Sequence, residues 1–337
     1  MDAIAKETAR QPVRGPHVWD AGDFQNGEWI SPFPEAASTA IRKLIDEVRA
    51  AGVRFEDYTP IPELRDGLTE LGEDIRDALA TGTGFSLLRG LDISDYSLDE
   101  LKIVHQEMGR HIGLVTLQTA DHPAMISEVT DIGDAGPKEF YYHRGGPLPF
   151  HMDPVDVVGL LCIRPALRGG LSGIVSSGAL HNLLLAERPD VLDTLYRGFF
   201  HLDRHYLTED GGRVLNDYRS PVYSDIRGDT VCTYLSEPIL MTERAGLYTL
   251  TPEERDALAV FDETARRPEL ILDMDLQPGD FQFLNNRHVL HSRSDYEDYT
   301  DKEKARMLLR VWMTMPGWTK LPREIPFTDA ELGTLPT

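Results

Sequence analysis

Apolar side chains recur with a helical period in several stretches of the chain. Over residues 36–52, Ile41, Leu44, Ile45 and Val48 fall on one face of a helix. A second helix is predicted over 68–79, ending before Gly82. Ser97, with Glu100 three residues on, makes a capping box that starts a third, and Gly113 supplies its stop. Residues 179–195 read as a helix in which Pro189 marks a break or a joint. Thr251-Pro252-Glu253-Glu254 combines a cap, a Pro at the first helical position and a Glu at the third, and that helix runs to about Arg267.

Other stretches read as extended chain. Leu148-Pro149-Phe150 leads into His151-Met152-Asp153, and Val155, Val157, Val158, Leu160, Leu161 and Ile163 follow, a β-branched apolar run typical of a buried strand. After the turn residues Pro278-Gly279, Phe281 and Phe283 alternate with polar neighbours. Residues 116–129 are expected to be extended, and Met307 to Met313 forms a third apolar run with Arg310 in its middle. Residues 1–35, rich in Pro, Gly and Trp without a period, read as an irregular arm. Residues 131–146 read as a loop, and 204–229 as a long irregular region, a candidate lid carrying Tyr206, Tyr218 and Tyr223. There is no internal repeat. Pattern alone predicts a mixed α and β chain.

Composition narrows the class. At 337 residues and 41% hydrophobic, the chain can build a large core, as one elaborated barrel or as two domains. The two cysteines, Cys162 and Cys232, are far apart and suggest no disulfide framework, which suits a reducing, cytoplasmic setting. No stretch is long and apolar enough to span a membrane, and residues 1–14 have no signal core. A formal net charge of −22 argues against nucleic acid and anionic membranes as partners. A small-molecule substrate is expected, and a homo-oligomer is left open.

The chemistry is concentrated at His151 and Asp153. Two residues apart on extended chain, they point to the same face and can bind one metal from one side. Alone, the triplet is more simply a surface His beside a solvated Asp. At the mouth of a buried strand, however, both groups are costly to bury unpaired, and metal ligation resolves that cost. His291, at the end of Val289-Leu290, is the preferred third ligand; His288, in the turn after Asn285-Asn286, is expected to be exposed. Two His and one carboxylate leave cis positions open, the arrangement of non-haem Fe(II) oxygenases. Arg310, inside an apolar run, needs an anionic partner: either an internal acid or a ligand carboxylate held in bidentate fashion. Gln118 and the loop Tyr141-Tyr142-His143-Arg144 are candidates to contact substrate, Tyr142, His143 and Arg144 foremost.

These blocks, in this order, resemble the taurine dioxygenase-like (TauD/TfdA-type) family of Fe(II)/2-oxoglutarate-dependent dioxygenases. The resemblance covers about 81–316 and includes Gly82-Thr83-Gly84-Phe85, Pro149-Phe150-His151-Met152-Asp153, Arg168-Gly169-Gly170-Leu171-Ser172, Asn285-Asn286-Arg287 with His291-Ser292-Arg293, and Arg306 with Arg310. It implies a double-stranded β-helix, or jelly-roll, core with flanking and inserted helices, laid out as an arm and helices over 1–80 and a core over 81–325 with helical inserts near 179–195 and 251–267. It implies that His151, Asp153 and His291 hold Fe(II), and that Arg310 binds the distal carboxylate of 2-oxoglutarate. Ser172, standing where the family commonly has Thr, and Arg306 are implied to lie near that co-substrate. The implied reaction oxidises an unactivated C–H bond with O2, most simply by hydroxylation, releasing succinate and CO2. The resemblance also speaks against halogenation, because halogenating relatives have Gly or Ala where Asp153 stands. A zinc hydrolase or lyase and a non-catalytic metal-binding jelly roll can use the same three ligands. The first has no use for the carboxylate fork of Arg310, and the second would normally show a fourth ligand.

Overall fold

The computed structural model describes residues 10–60, 65–118, 125–132, 145–207, 213–322 and 324. Its elements in chain order are β1 (Ile30–Pro32), α1 (Glu35–Ala51), α2 (Asp66–Ala80), β2 (Phe85–Arg89), α3 (Leu98–Ile112), β3 (Leu114–Thr116), β4 (Ile126–Val129), β5 (Leu148–His151) and β6 (Val157–Arg164). β7 (Arg168–Gly169), β8 (Ser172–Ser176), α4 (Ser177–Glu187), α5 (Pro189–Arg197), β9 (Leu202–Leu207), β10 (Arg213–Leu215), β11 (Tyr223–Ile226) and β12 (Asp229–Cys232) follow. The chain continues through α6 (Ser236–Arg244), α7 (Pro252–Ala265), β13 (Leu272–Met274), β14 (Phe281–Asn285), β15 (Val289–Arg293), β16 (Tyr296–Glu297) and β17 (Met307–Thr314).

Local signals set the helix ends. Ser97 accepts from the Glu100 amide while Glu100 reaches back to the Ser97 amide, and Thr251 and Glu254 do the same for α7. Each such cap contributes about 1 kcal/mol. Gly52 closes α1 in the left-handed conformation at φ 65°, which an L side chain resists. Pro189 opens α5 at its first position, so the joint foreseen there separates two helices.

Two sheets face each other. One has seven strands in the order β1-β2-β14-β6-β17-β3, with β4 also on β17; the other runs β13-β8-β15-β5. Side-chain alternation sorts each strand between two environments. On β17, Leu309, Val311 and Met313 join Ile41, Leu68, Ile75, Val104 and Met108 in the core beneath α1, α2 and α3. Leu308 and Trp312 point the other way, into the layer between the sheets with Ile174, Met274, Leu284 and Val289. Val175 and Leu290 face out from the small sheet onto α4, α5 and α7, beside Leu180, Leu192 and Phe261. Arg310 shares parity with Leu308 and Trp312, and His291 with Val289. The same rule that builds the core therefore turns both toward the inter-sheet interior. This is the jelly-roll architecture with flanking and inserted helices.

Two expectations fail. Residues 204–229 are not an irregular lid: β9 pairs with β10 and β11 with β12 in antiparallel fashion, residues 208–212 lying outside the description. Tyr223 is buried, its hydroxyl donating to Ser177 O, so it is a core residue. The polar composition of this stretch hid two short hairpins. No helix among the described residues is long and apolar enough to cross a membrane.

Candidate metal centre and anion sites

His151 ends β5 and His291 lies opposite it on β15 as its ladder partner. Directly opposed residues bring side chains together, and the two imidazole centroids are 4.2 Å apart with planes tilted by 46°. Asp153 follows two residues after His151, its amide donating to Asn286 Oδ1 at 3.2 Å. One donor atom from each of the three lies within 4.8 Å of the others.

Protonation is arranged for ligation. His151 Nδ1 is 2.9 Å from Pro149 O. A carbonyl only accepts, so Nδ1 carries the proton and Nε2 presents its lone pair. His291 Nδ1 is buried with no hydrogen-bond partner among the described residues. Burial lowers the basicity of both rings, His291 falling to about 3 with further help from His151, so both stay neutral as metal ligands must. Burial alone would raise the Asp153 carboxyl, but Arg310, His291 and His151 outweigh it and hold it below the ordinary carboxylate value. Two neutral imidazoles and one carboxylate fit Fe(II).

β17 closes the centre. The Trp312 indole N–H donates to Asp153 Oδ2 at 2.9 Å, and Arg310 Nη1 stands 3.4 Å from both carboxylate oxygens. Arg310 Nε donates to Gln118 Oε1 at 2.8 Å, while Gln118 Nε2 donates to Arg310 O at 2.7 Å. Gln118 is thus a buried brace for Arg310. Tyr142, His143 and Arg144 lie outside the described residues.

A second group of cations lies further along the same interior. Arg306 is buried, its Nη1 has no partner, and its side chain makes no ion pair among the described residues. Arg293, two residues after His291 and so on the same face, reaches Gly146 O through Nε at 2.9 Å. Both guanidiniums stand over the Tyr296 ring, at 5.5 and 5.2 Å. Burial, and then repulsion from Arg293, brings Arg306 down to about 10. Gly170, at φ 71°, lets the chain pass close beneath: a Cβ there would lie 3.1 Å from Arg306 Nε. Ser172 is the ladder partner of Arg293, and its hydroxyl donates to Gln282 Oε1 at 3.0 Å. The i, i+2 spacing from His291 and from Arg310 was the available signal for Arg293 and Trp312.

His288 corrects another expectation: it is buried rather than exposed. Its ring stacks on His17 at 4.2 Å with planes 13° apart, and its Nε2 is 3.0 Å from Asp229 Oδ1. His17, from the arm, brings its ring over the start of β15, a contact that no periodicity announces. His17, Asp229 and His288 form a second cluster with donor atoms within 4.8 Å of one another.

Comparison with known proteins agrees with this geometry. A bacterial relative, FR-33289 synthase of Streptomyces rubellomurinus, is 27% identical over 95% of this chain and 95% of its own length. The taurine hydroxylase-like protein SAT17 of Stachybotrys chartarum is 29% identical over 82% of this chain and 76% of its own. Among solved structures, asparagine oxygenase with Fe(II), hydroxyasparagine and succinate aligns with a TM-score of 0.66 at 16% identity, covering 85% of this chain and 94% of that one. The non-heme iron oxygenase OrfP with iron, succinate and dihydroxyarginine aligns at 0.63 and 14% identity, with the same coverage. These structural likenesses speak for the fold. The sequence pattern of the family described as "Taurine catabolism dioxygenase TauD, TfdA family" matches residues 50–312, and the chain belongs to that family.

Proposed function

We propose that this Fe(II)/2-oxoglutarate-dependent oxygenase hydroxylates an unactivated C–H bond of an anionic small molecule. Arg306 and Arg293 would anchor the distal carboxylate of 2-oxoglutarate, and Arg310 would serve the metal end of the site. Membership of the family and the His151, Asp153, His291 set make the protein an oxygenase rather than a hydrolase or lyase. Bound by these residues, Fe(II) with 2-oxoglutarate and O2 supplies the oxidising power. The balanced outcome is one hydroxylated product, one succinate and one CO2 per O2 consumed.

The division of labour between the arginines departs from what the resemblance implies for Arg310. One observation carries it: Arg306 is a buried guanidinium whose Nη1 has no partner among the described residues. Isolating such a charge is strongly unfavourable unless an anion joins it, and Arg293 stands beside it over the same Tyr296 ring. Arg310 is already engaged by Gln118 and stands against a metal ligand. The far carboxylate of a five-carbon diacid chelated at its other end requires an anchor set back from the metal. Arg306 meets that requirement: it stands four residues before Arg310, just outside β17 and beyond the register irregularity between Met307 and Leu308. Arg310 suits a charge carried close to the metal, such as an anionic group of the substrate, and Ser172 would help to line the co-substrate end through its bond to Gln282.

The comparison of Arg306→Lys with Arg310→Lys tests this. Each keeps the charge and loses the fork. In Arg306→Lys the apparent KM for 2-oxoglutarate should rise by roughly one to two orders of magnitude, about 1.5–3 kcal/mol for a charged hydrogen-bonded pair. Arg310→Lys should leave it within a few-fold while weakening the primary substrate. The reverse pattern returns the distal carboxylate to Arg310.

A further inference from the structure

The two oxygens of Asp153 have different surroundings. Oδ1 faces His151, 3.9 Å from its Nε2. Oδ2 accepts the Trp312 indole N–H at 2.9 Å. Arg310 does not distinguish them, since its Nη1 is 3.4 Å from each, beyond normal hydrogen-bond length. The indole N–H does, because it is a donor only and has a single direction. Trp312 is also held firmly. It is buried on β17, in register with Val158 of β6 and Thr116 of β3, and its ring carries the Arg310 guanidinium at 4.8 Å.

We propose that Trp312 is a positioning residue that restricts Asp153 to a single bond to the metal, through Oδ1. A carboxylate free to turn can ligate through both oxygens and occupy two coordination positions. With Oδ2 held by the indole, the second position stays available to co-substrate and O2. The inference rests on the Fe(II)/2-oxoglutarate reading above. It assigns the choice of oxygen to a neutral donor two residues beyond Arg310, and leaves Arg310 to set the charge of the site.

The test removes the N–H and little else. Trp312→Phe keeps an aromatic face beneath Arg310. Replacing Trp312 by benzothienylalanine, with sulfur in place of N–H, keeps the whole ring shape and guards against misfolding of the Phe variant. Fe(II) stoichiometry and affinity are measured without O2, followed by titration with 2-oxoglutarate, read from the visible charge-transfer absorption of the Fe(II)–keto acid complex. Both variants should bind one Fe(II) per chain at least as tightly as the parent. Their 2-oxoglutarate affinity should fall about tenfold, the scale of lost outer-shell support, with a weakened band. Unchanged 2-oxoglutarate affinity and band in the benzothienylalanine protein would overturn the proposal. Loss of Fe(II) itself from that protein would also overturn it, by making Trp312 a support for metal binding as such. If the parent protein shows no charge-transfer band with Fe(II) and 2-oxoglutarate, the failure lies with the underlying oxygenase reading and not with Trp312.

Discussion

Two sets of two histidines and one aspartate converge on the start of β15, and their ring centroids are equally spaced. His151 and His291 stand 4.2 Å apart, and so do His17 and His288. What separates the sets is direction and protonation. The first pair is tilted by 46°, so in-plane lone pairs can meet at one point; the second is nearly parallel at 13°, and lone pairs in stacked planes cannot. His151 donates through Nδ1 to a carbonyl and leaves Nε2 bare. At His288 the opposite tautomer is imposed. Asn285 Oδ1 is taken by the Arg287 amide, so its Nδ2 donates both to Leu79 O and to His288 Nδ1. The His288 proton therefore sits on Nε2 and goes to Asp229. Residue types and distances are alike, but in the second set only His17 Nε2 is without a partner among the described residues, while His288 Nε2 is committed to Asp229 and the stacked rings do not aim at one point. The second is a packed clasp between the arm and β15.

Removing donors from each set should break that comparison most sharply. His151→Ala or His291→Ala should abolish Fe(II) binding and succinate release while leaving the fold intact, since the apolar layers do not involve the metal. His17→Ala should retain one Fe(II) per chain. Metal analysis of the anaerobically loaded proteins decides the matter, and a second equivalent lost with His17 would make the clasp a metal site.

The carboxylate is next. As a metal ligand, Asp153 would fill the position that a halide needs, so products formed in high chloride should be hydroxylated and not chlorinated by mass spectrometry. Asp153→Ala should lose turnover; full activity in that protein without added carboxylate would remove Asp153 from the ligand set.

A smaller effect sharpens the clasp. Burial, with help from His288 and against Asp229, lowers the His17 pKa from 6.5 to about 4. A group depressed on folding contributes stability that is fully present above pH 6.5 and is lost as pH falls toward 4. For a ring this exposed, screening leaves roughly 1 kcal/mol. His17→Phe keeps the stack and cannot protonate, so urea unfolding at pH 7 and pH 4.5 should show a flatter acid limb than the parent. The smallest change is expected for Asp229→Asn, whose half-exposed partnership with His288 should alter stability by less than about 1 kcal/mol at pH 7.

The sequence by itself determined what depends on near neighbours. The capping boxes at Ser97 and Thr251 and the joint at Pro189 follow from contacts within one turn, and they stand where local chemistry puts them. The pairing of His151 with Asp153, and the inward parity of Arg310, follow from the period of extended chain. Tertiary structure alone decided the rest. The two hairpins that cover most of 204–229 lack a strong apolar alternation, and the strands of each find their ladder partners in one another. His288 looked like an exposed turn residue because nothing nearby in sequence announces His17, which crosses from 271 positions away to cover it. Which of two buried arginines is engaged and which has an unpartnered nitrogen depends on Gln118, distant in the chain from both. Tautomer and ring tilt, which separate the metal centre from its near copy, are set by a carbonyl at Pro149 and an amide at Asn285. Spacing specifies which residues can meet, but the direction of a lone pair depends on what packs behind the ring.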